Sequence, residues 1–460
     1  MKIKQICCIG AGYVGGPTMA VIAKKCPDIQ INLIDINEVR IKEWNSIDFN
    51  KIPIYEPGLS TILKECRGKN LHFSTKFEEN IRNADLIFIS VNTPTKESGI
   101  GAGKAIDLKW IEESTRTIAK YAFGKTIVVE KSTLPVRTAQ TIKQILETSL
   151  KNSKDDKEFH VLSNPEFLAE GTAINDLLNP DRILIGGENK ESIDALKSIY
   201  LNWVTNEKII TTNLWSSELS KLIANAFLAQ KISSINSISA LCERTGADIS
   251  EVALAVGADR RIGQYFLNAG PGFGGSCFKK DILNLIYICE YYGLHEVASY
   301  WEKVITINNW QKKRISSIIL EKLFGTISGK KIGILGFSFK ANTNDTRESP
   351  AIDICHELMD EGAKLSIYDP KVNAKRITQD LNIKEQRNLE VVDSVNKAAK
   401  DSDALVILTE WEEFKNIDWG EISKLLRKPS WVFDTRRISN LSDAKKSGIN
   451  IWIVGHTENF

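Results

Sequence analysis

The sequence predicts an α/β protein of two doubly wound domains joined by a long central helix. Three observations carry that prediction. Short β-branched runs alternate with helical patterns from residue 1 to about 212, the same alternation returns after Gly325, and a continuous apolar helical pattern opens between them at Trp215. The expected boundaries are 1–213, 214–325 and 326–460. With 460 residues, 42% hydrophobic and 26% charged, the chain can bury several cores. A net charge of +2 gives no broad basic footprint for nucleic acid or membrane, and no run reaches transmembrane length. A small-molecule partner is therefore expected. The first residues read as a strand rather than as the apolar stretch of a signal peptide, so the expectation is a cytosolic protein with reduced thiols.

In the first region the strand candidates are Gln5–Ile9, 31–35, 85–91, 126–130, 160–163 and 182–186, with the charged stretch 151–158 read as a surface loop. Gly10-Ala11-Gly12-Tyr13-Val14-Gly15 follows the first strand directly, and Asp35 closes the second about twenty residues beyond Gly15. Gly10 suits a tight turn, Gly12 a close approach of a pyrophosphate, and Gly15 close helix packing, with a helix N-terminus facing the phosphates. The region is thus Rossmann-like. Asp35 would accept from ribose hydroxyls and repel a 2′-phosphate, which favours NAD over NADP. The turns Ser90-Val91-Asn92-Thr93-Pro94 and Glu130-Lys131-Ser132-Thr133 stand at strand ends, where such sheets bind ligands, although turn chemistry alone would also account for them. Asn164-Pro165-Glu166-Phe167-Leu168-Ala169-Glu170-Gly171 places two carboxylates one helical turn apart after another strand.

The central pattern, 215–246, carries Lys221 and Asn225 at i, i+4 on one face, with Leu219, Leu222, Ile223, Ala226 and Phe227 as packing. Neighbours this apolar predict a partly buried lysine with its pKa lowered toward an acid/base range. Further on, Gly272-Phe273-Gly274-Gly275-Ser276-Cys277-Phe278-Lys279-Lys280-Asp281 sets one cysteine after a glycine-rich turn, at the start of a helical run. A helix N-terminus favours Cys277 as a thiolate, and Asp281 shares its helix face. The other seven cysteines lie in or beside apolar segments and read as buried and structural. After Gly325 the strand candidates are Lys331–Leu335, Lys364–Tyr368, 404–408 and 431–433, a second Rossmann-like sheet without a fixed-period repeat of the first.

Taken together, these segments resemble the UDP-glucose/GDP-mannose dehydrogenase family, in its UDP-glucose-oxidising animal and plant branch, and the resemblance runs from the first strand to about Gly455. It implies oxidation of the C6 alcohol of UDP-glucose to a carboxylate with two NAD reduced and no metal. Cys277 would form a thiohemiacetal and then a thioester. Lys221 would act as acid/base or oxyanion stabiliser, Asn225 would donate to the same oxygen, Asp281 and Thr133 would orient the lysine and a water, and Glu166 would assist hydrolysis.

The cofactor set it implies is Gly10, Gly12, Tyr13, Val14, Gly15, Asp35, Arg40, Val91, Asn92, Thr93, Ser132, Thr133, Glu170, Lys280 and Arg347. For the UDP-sugar it implies Glu166, Phe167, Leu168, Lys221, Asn225, Phe266, Phe273, Gly274, Phe339, Lys340 and Arg437, with Arg261 supplied by a neighbouring subunit of a homo-oligomer, dimeric or hexameric. Arg260 and Arg436 read as surface residues, and Lys279 departs from the animal pattern. Rivals are a sister enzyme acting on UDP-N-acetylmannosamine or GDP-mannose, a two-electron β-hydroxyacid dehydrogenase, and a nucleotide-sugar sensor without turnover. The 215–242 helix favours UDP-glucose over the first. Cys277 has no use in the second, and the trio Cys277, Lys221 and Asp281 none in the third.

Overall fold

The computed structural model describes residues 1–133, 135–151, 157–382 and 388–457. Two compact units emerge, one of Met1–Ala224 with Leu283–Tyr292, the other of Asn225–Ile282 with the residues from Gly293 onward. The division falls inside the helices Leu214–Thr245 and Phe278–Tyr291.

The first unit holds eight strands: β1 (Gln5–Ile9), β2 (Gln30–Ile34), β3 (Leu71–Ser74), β4 (Leu86–Ile89), β5 (Gly124–Glu130), β6 (Lys157–Ser163), β7 (Ile183–Gly186) and β8 (Ile209–Thr212). Their order is β3-β2-β1-β4-β5-β6-β7-β8. Pairing is parallel throughout except between β6 and β7, which meet antiparallel at Ser163 and Gly186, so the sheet is mixed rather than wholly parallel. Alternation sends Ile6 and Cys8 of β1 into one layer, with Met19 and Ile22 of the helix Gly15–Lys25, and Cys7 and Ile9 into the other, with Ile118 and Ile142. Both faces are covered, so the inner strands are apolar almost without interruption. The charged stretch 151–158 is split: Lys151 ends a helix and residues 157–158 begin β6, whereas 152–156 lie outside the described residues.

In the second unit, β9 (Lys331–Leu335), β10 (Lys364–Tyr368), β11 (Leu389–Val391), β12 (Ala404–Ile407), β13 (Trp431–Asp434) and β14 (Asn450–Ile453) form an all-parallel sheet in the order β11-β10-β9-β12-β13-β14. Ile332 and Ile334 pack with Ile354 and Leu358 on one face, and Leu335, Leu405 and Ile407 with Trp411 and Phe414 on the other.

The central helix runs Leu214–Thr245 and stops at Gly246, whose φ of 83° lies in the left-handed region a helix C-terminus requires. Leu222 and Ala226 are fully buried, but Leu219 and Phe227, read above as packing, are exposed. The helix has more apolar girth than the chain itself covers. Among the described residues no helix is long and apolar enough to cross a membrane.

Candidate active site

At the end of β1, Gly10 takes φ 108°, and a Cβ there would sit 2.3 Å from the Ser90 carbonyl oxygen. A Cβ on Gly15 would meet the Gly10 oxygen at 2.1 Å, so these two glycines are required by packing. Gly12 differs: a Cβ would find nothing within 4 Å. That open ground, beside half-buried Tyr13 and Val14 and just ahead of the helix Gly15–Lys25, fits a pyrophosphate. Asp35 is buried, its Oδ2 accepting from Ala11 N at 2.9 Å and its Oδ1 from Asn37 N at 2.9 Å, with Arg40 Nη1 3.3 Å from Oδ2. The strand ends of β4 and β5 are tied together. Ser132 Oγ donates to Val91 O at 2.8 Å and Thr93 Oγ1 to Thr133 O at 3.2 Å, while Asn92 is exposed. The residues present therefore fit NAD.

The same unit carries a buried polar cluster beneath these loops. Lys131 is 3% exposed, and its ammonium donates to Glu166 Oε2 at 2.8 Å, Asn164 Oδ1 at 3.1 Å and Tyr200 OH at 3.4 Å. Tyr200 OH donates in turn to Asn164 Oδ1 at 2.5 Å. Glu166 Oε1 accepts from the Phe167 and Leu168 N–H groups at 2.8 and 3.2 Å, and Thr18 Oγ1 lies 3.4 Å from Oε2. Burial alone would raise the Glu166 carboxyl, but the Lys131 ammonium, the Phe167 N–H and the Lys221 charge together hold it below its usual range. Buried Glu56 anchors the far end of the segment by accepting from Gly171 N and Ala173 N, and Glu170 is half-buried within it. The Arg182 guanidinium lies 3.9 Å and the buried Lys221 ammonium 5.3 Å from the centroid of the Phe167 ring.

In the second unit, Cys277 is exposed, and its carbonyl accepts the Asp281 N–H at 2.9 Å, so it stands at the N-terminal cap position of the helix Phe278–Tyr291. Its Sγ is 3.5 Å from Ser276 Oγ. Asp281 is fully buried and accepts from Asn225 Nδ2 at 2.6 Å, with Lys280 Nζ 3.9 Å from its other oxygen. The glycines before the cysteine are shaped by neighbours. A Cβ at Gly274 would meet Glu348 O at 2.5 Å, and one at Gly275 the Phe339 ring at 3.0 Å. Phe273 edges onto Phe278, which also meets Phe266, a residue at φ 64°. Lys340 Nζ lies over the Phe339 ring at 5.5 Å. Arg347 forks onto Asp345 and offers its carbonyl to Gly275 N at 2.8 Å, while Lys279 pairs with Glu348 at 2.8 Å.

The two adjacent arginines separate. Arg437, at φ 58°, turns to Asp248 with two 2.9 Å bonds and to Val454 O, and His456 pairs with the same aspartate. Arg436, read above as a surface residue, is instead largely covered and donates to Phe339 O at 2.9 Å and Leu408 O at 2.8 Å. Arg261 is 86% exposed at its side chain and pairs with its own neighbour Asp259. Sequence reasoning gave no role to Lys131 or Arg436, nor to Tyr200, Glu56 or Arg182 around Lys131 and the Glu166 loop. The signal for Lys131 was a charged pair, Glu130-Lys131, closing the apolar strand Ile127-Val128-Val129. Among the described residues no group of three His, Cys, Asp or Glu side chains is placed to hold a metal.

An open glycine turn after the first strand, with a buried acid after the second, marks the first unit as a dinucleotide-binding fold of the kind nicotinamide-dependent oxidoreductases use. Three family descriptions then cover the chain in order: the UDP-glucose/GDP-mannose dehydrogenase family's NAD binding domain over residues 4–204, its central domain over 215–310 and its UDP binding domain over 333–440. The chain belongs to the UDP-glucose/GDP-mannose dehydrogenase family. It is 54% identical to UDP-glucose 6-dehydrogenase 4 of Arabidopsis thaliana, across 98% of this chain and 97% of that one, and 54% identical to UDP-glucose 6-dehydrogenase 5 of Oryza sativa subsp. japonica at the same coverage. Among solved structures, a UDP-glucose dehydrogenase from Pyrobaculum islandicum superposes with a TM-score of 0.84 at 28% identity, over 99% of this chain and 98% of that one. A UDP-D-ManNAc dehydrogenase from Pyrococcus horikoshii gives 0.82 at 25% identity, over 98% and 99%.

Proposed function

We propose that the protein oxidises the C6 hydroxymethyl of UDP-glucose to the carboxylate of UDP-glucuronate, with Cys277 carrying the intermediates. The observation that carries this reading is the state of the thiols: seven of the eight cysteines are buried, and the exposed one caps a helix N-terminus after a glycine turn. Relatives more than half identical over nearly the whole chain are UDP-glucose 6-dehydrogenases. NAD, held at the Gly12 turn and by Asp35, would supply the hydride acceptor for both oxidations.

The chain's own groups do the rest. Lys221 takes the proton of the C6 hydroxyl in the first oxidation, and Asn225 donates to the oxygen that becomes the aldehyde. The Cys277 sulfur then bonds to C6 while its proton passes to that oxygen, giving a thiohemiacetal. In the second oxidation the hydroxyl proton leaves again and a thioester remains on Cys277. Water, oriented by Thr133 and Asp281 and giving up its proton with the help of Glu166, bonds to C6 as the C–S bond breaks. The thiol is restored and the acid departs. Phe339, Lys340 and Arg437 are assigned to the UDP-sugar, with Arg436 added because it donates to Phe339 O, since a planar ring and nearby cations suit a uracil and a diphosphate.

Residues 1–213 serve in this reading as the NAD-binding part, 214–325 as connector and dimerisation part, and 326–460 as the UDP-sugar part. A cytosolic homo-oligomer is supported by free cysteines throughout and by exposed Leu254, Ile262 and Tyr265 around Arg261. The test is NADH formed per limiting UDP-glucose. Two are expected from the native protein, and Cys277→Ser is expected to slow acid release more than ~100-fold while UDP-glucose still binds. One NADH from the native protein, or full activity in the serine variant, overturns the thioester. Turnover of UDP-N-acetylmannosamine or GDP-mannose without UDP-glucose moves the substrate.

A further inference from the structure

Lys131 is as deeply buried as any cation described in the chain, and nothing in the chemistry above uses it. All three ammonium protons have acceptors, on Glu166, Asn164 and Tyr200. A buried ion pair is poor evidence of stabilisation, because desolvating both charges offsets much of their attraction, and well-packed apolar residues commonly do as well. What such a pair does secure is orientation. With Lys131 fixed by two neutral acceptors, Glu166 Oε2 is held at 2.8 Å, while Oε1 is pinned by two backbone N–H groups of its own loop.

We propose that Lys131 is a positioning residue for the hydrolytic step: its ammonium keeps the Glu166 carboxylate charged and fixed as a proton acceptor. The proposal rests on the function argued above. The other groups facing the pair are the Lys221 ammonium, the Tyr200 hydroxyl and the buried Cys8 thiol, whose pKa burial raises far enough to leave it uncharged at neutral pH. Lys131 is thus the nearest charge that favours ionised Glu166, and Lys221 a more distant one. Without Lys131, only the Phe167 N–H and the more distant Lys221 charge oppose the burial, so the carboxyl rises and the fraction able to accept a proton falls first at low pH.

The experiment is the pH profile of kcat for Lys131→Met beside the native protein, with the NADH yield per UDP-glucose measured on the same native preparation. The acid limb is expected to move up by at least about one pH unit, which is a tenfold change in proton affinity, with activity recovering at high pH, KM for UDP-glucose changing less than ~2-fold, and a burst of NADH at acidic pH as the thioester accumulates. Lys131→Arg is expected to keep the native limb. An unmoved limb, or a loss equal at every pH, overturns the proposal. A native yield of one NADH overturns the underlying reading instead. Should Lys131→Met fail to fold, the infrared difference between native protein and Glu166→Gln titrates the native carboxyl directly. A midpoint below the ordinary glutamate value is expected, and one at or above it rejects the role.

Discussion

The two sheets share a plan at their centres and diverge where that plan meets a ligand. β3-β2-β1-β4-β5 and β11-β10-β9-β12-β13 are the same order, and in each the second strand in sequence is followed directly by an aspartate, Asp35 or Asp369. Gly10 N donates to Ile34 O and Gly336 N to Tyr368 O, both at 2.8 Å. The next residue donates its N–H to the aspartate in each case, Ala11 to Asp35 and Phe337 to Asp369. One residue further the resemblance ends. Gly12 faces open space, whereas Ser338 is buried and gives both its N–H and its hydroxyl to Asp369. Trp411 Nε1, Lys371 N and Val372 N complete the set on Asp369. The first turn is a cradle and the second is filled with side chains. Filled in this way, the second turn has no room for a pyrophosphate, and the reading proposed above puts the UDP-sugar beside Phe339 instead.

Replacing Asp369 by Ala breaks the comparison most severely. Six buried or half-buried donors lose their acceptor, and a loss of about 3–5 kcal/mol in denaturant unfolding is expected, with KM for NAD in the folded fraction unchanged. Gly12→Val converts the first turn toward the second. Because the site is open, the fold is expected to melt as before while NAD binds about 100-fold more weakly, or ~2.7 kcal/mol, read by calorimetry. Unaltered NAD affinity would dissolve the distinction between cradle and plug.

A smaller effect is expected at the ends of β5 and β13, which occupy matching places. Asp434 accepts three N–H groups from its own loop, of Arg436, Ile438 and Ser439. Glu130 is instead driven well above the usual carboxylate range by burial and by the neighbouring Glu218 carboxylate, to which it hydrogen-bonds. Folded Glu130 keeps a proton that the unfolded chain releases in the ordinary range, so stability falls as pH rises from that range toward the folded value. Glu130→Gln removes this slope. Its gain should be near zero around pH 4–5 and grow as pH rises from there; a gain independent of pH would mean that the proton is not there.

Much of this was legible in the sequence, and the gaps have a physical pattern. The fingerprint from Gly10 to Asp35 could be read because each residue acts on its own backbone or the next strand. Four strands went unproposed, β3, β8, β11 and β14, and they are the four sheet edges. β3, β8 and β11 are short and partly exposed, so they lack the apolar run that betrays a central strand, whereas β14 has such a run, with Ile451, Trp452 and Ile453 buried, and could have been read. Arg436 and Arg437 cannot be told apart in a sequence, since the backbone, with Arg437 at φ 58°, decides which reaches Phe339. Lys131 meets partners 33 and 69 residues away, and no local rule spans such separations.

The distribution of cysteines has one more consequence. Burial raises the Cys26 thiol to about 11 and drives Cys7, Cys8 and Cys355 higher still, while Cys66, Cys242 and Cys289 are raised for the same reason. To an alkylating reagent the native chain is therefore a single-handled molecule, open to a spin label or fluorophore at Cys277 with no cysteine removed beforehand. The seven remaining sulfurs form a silent ledger of integrity, each becoming countable by mass only when the layer that shelters it comes apart.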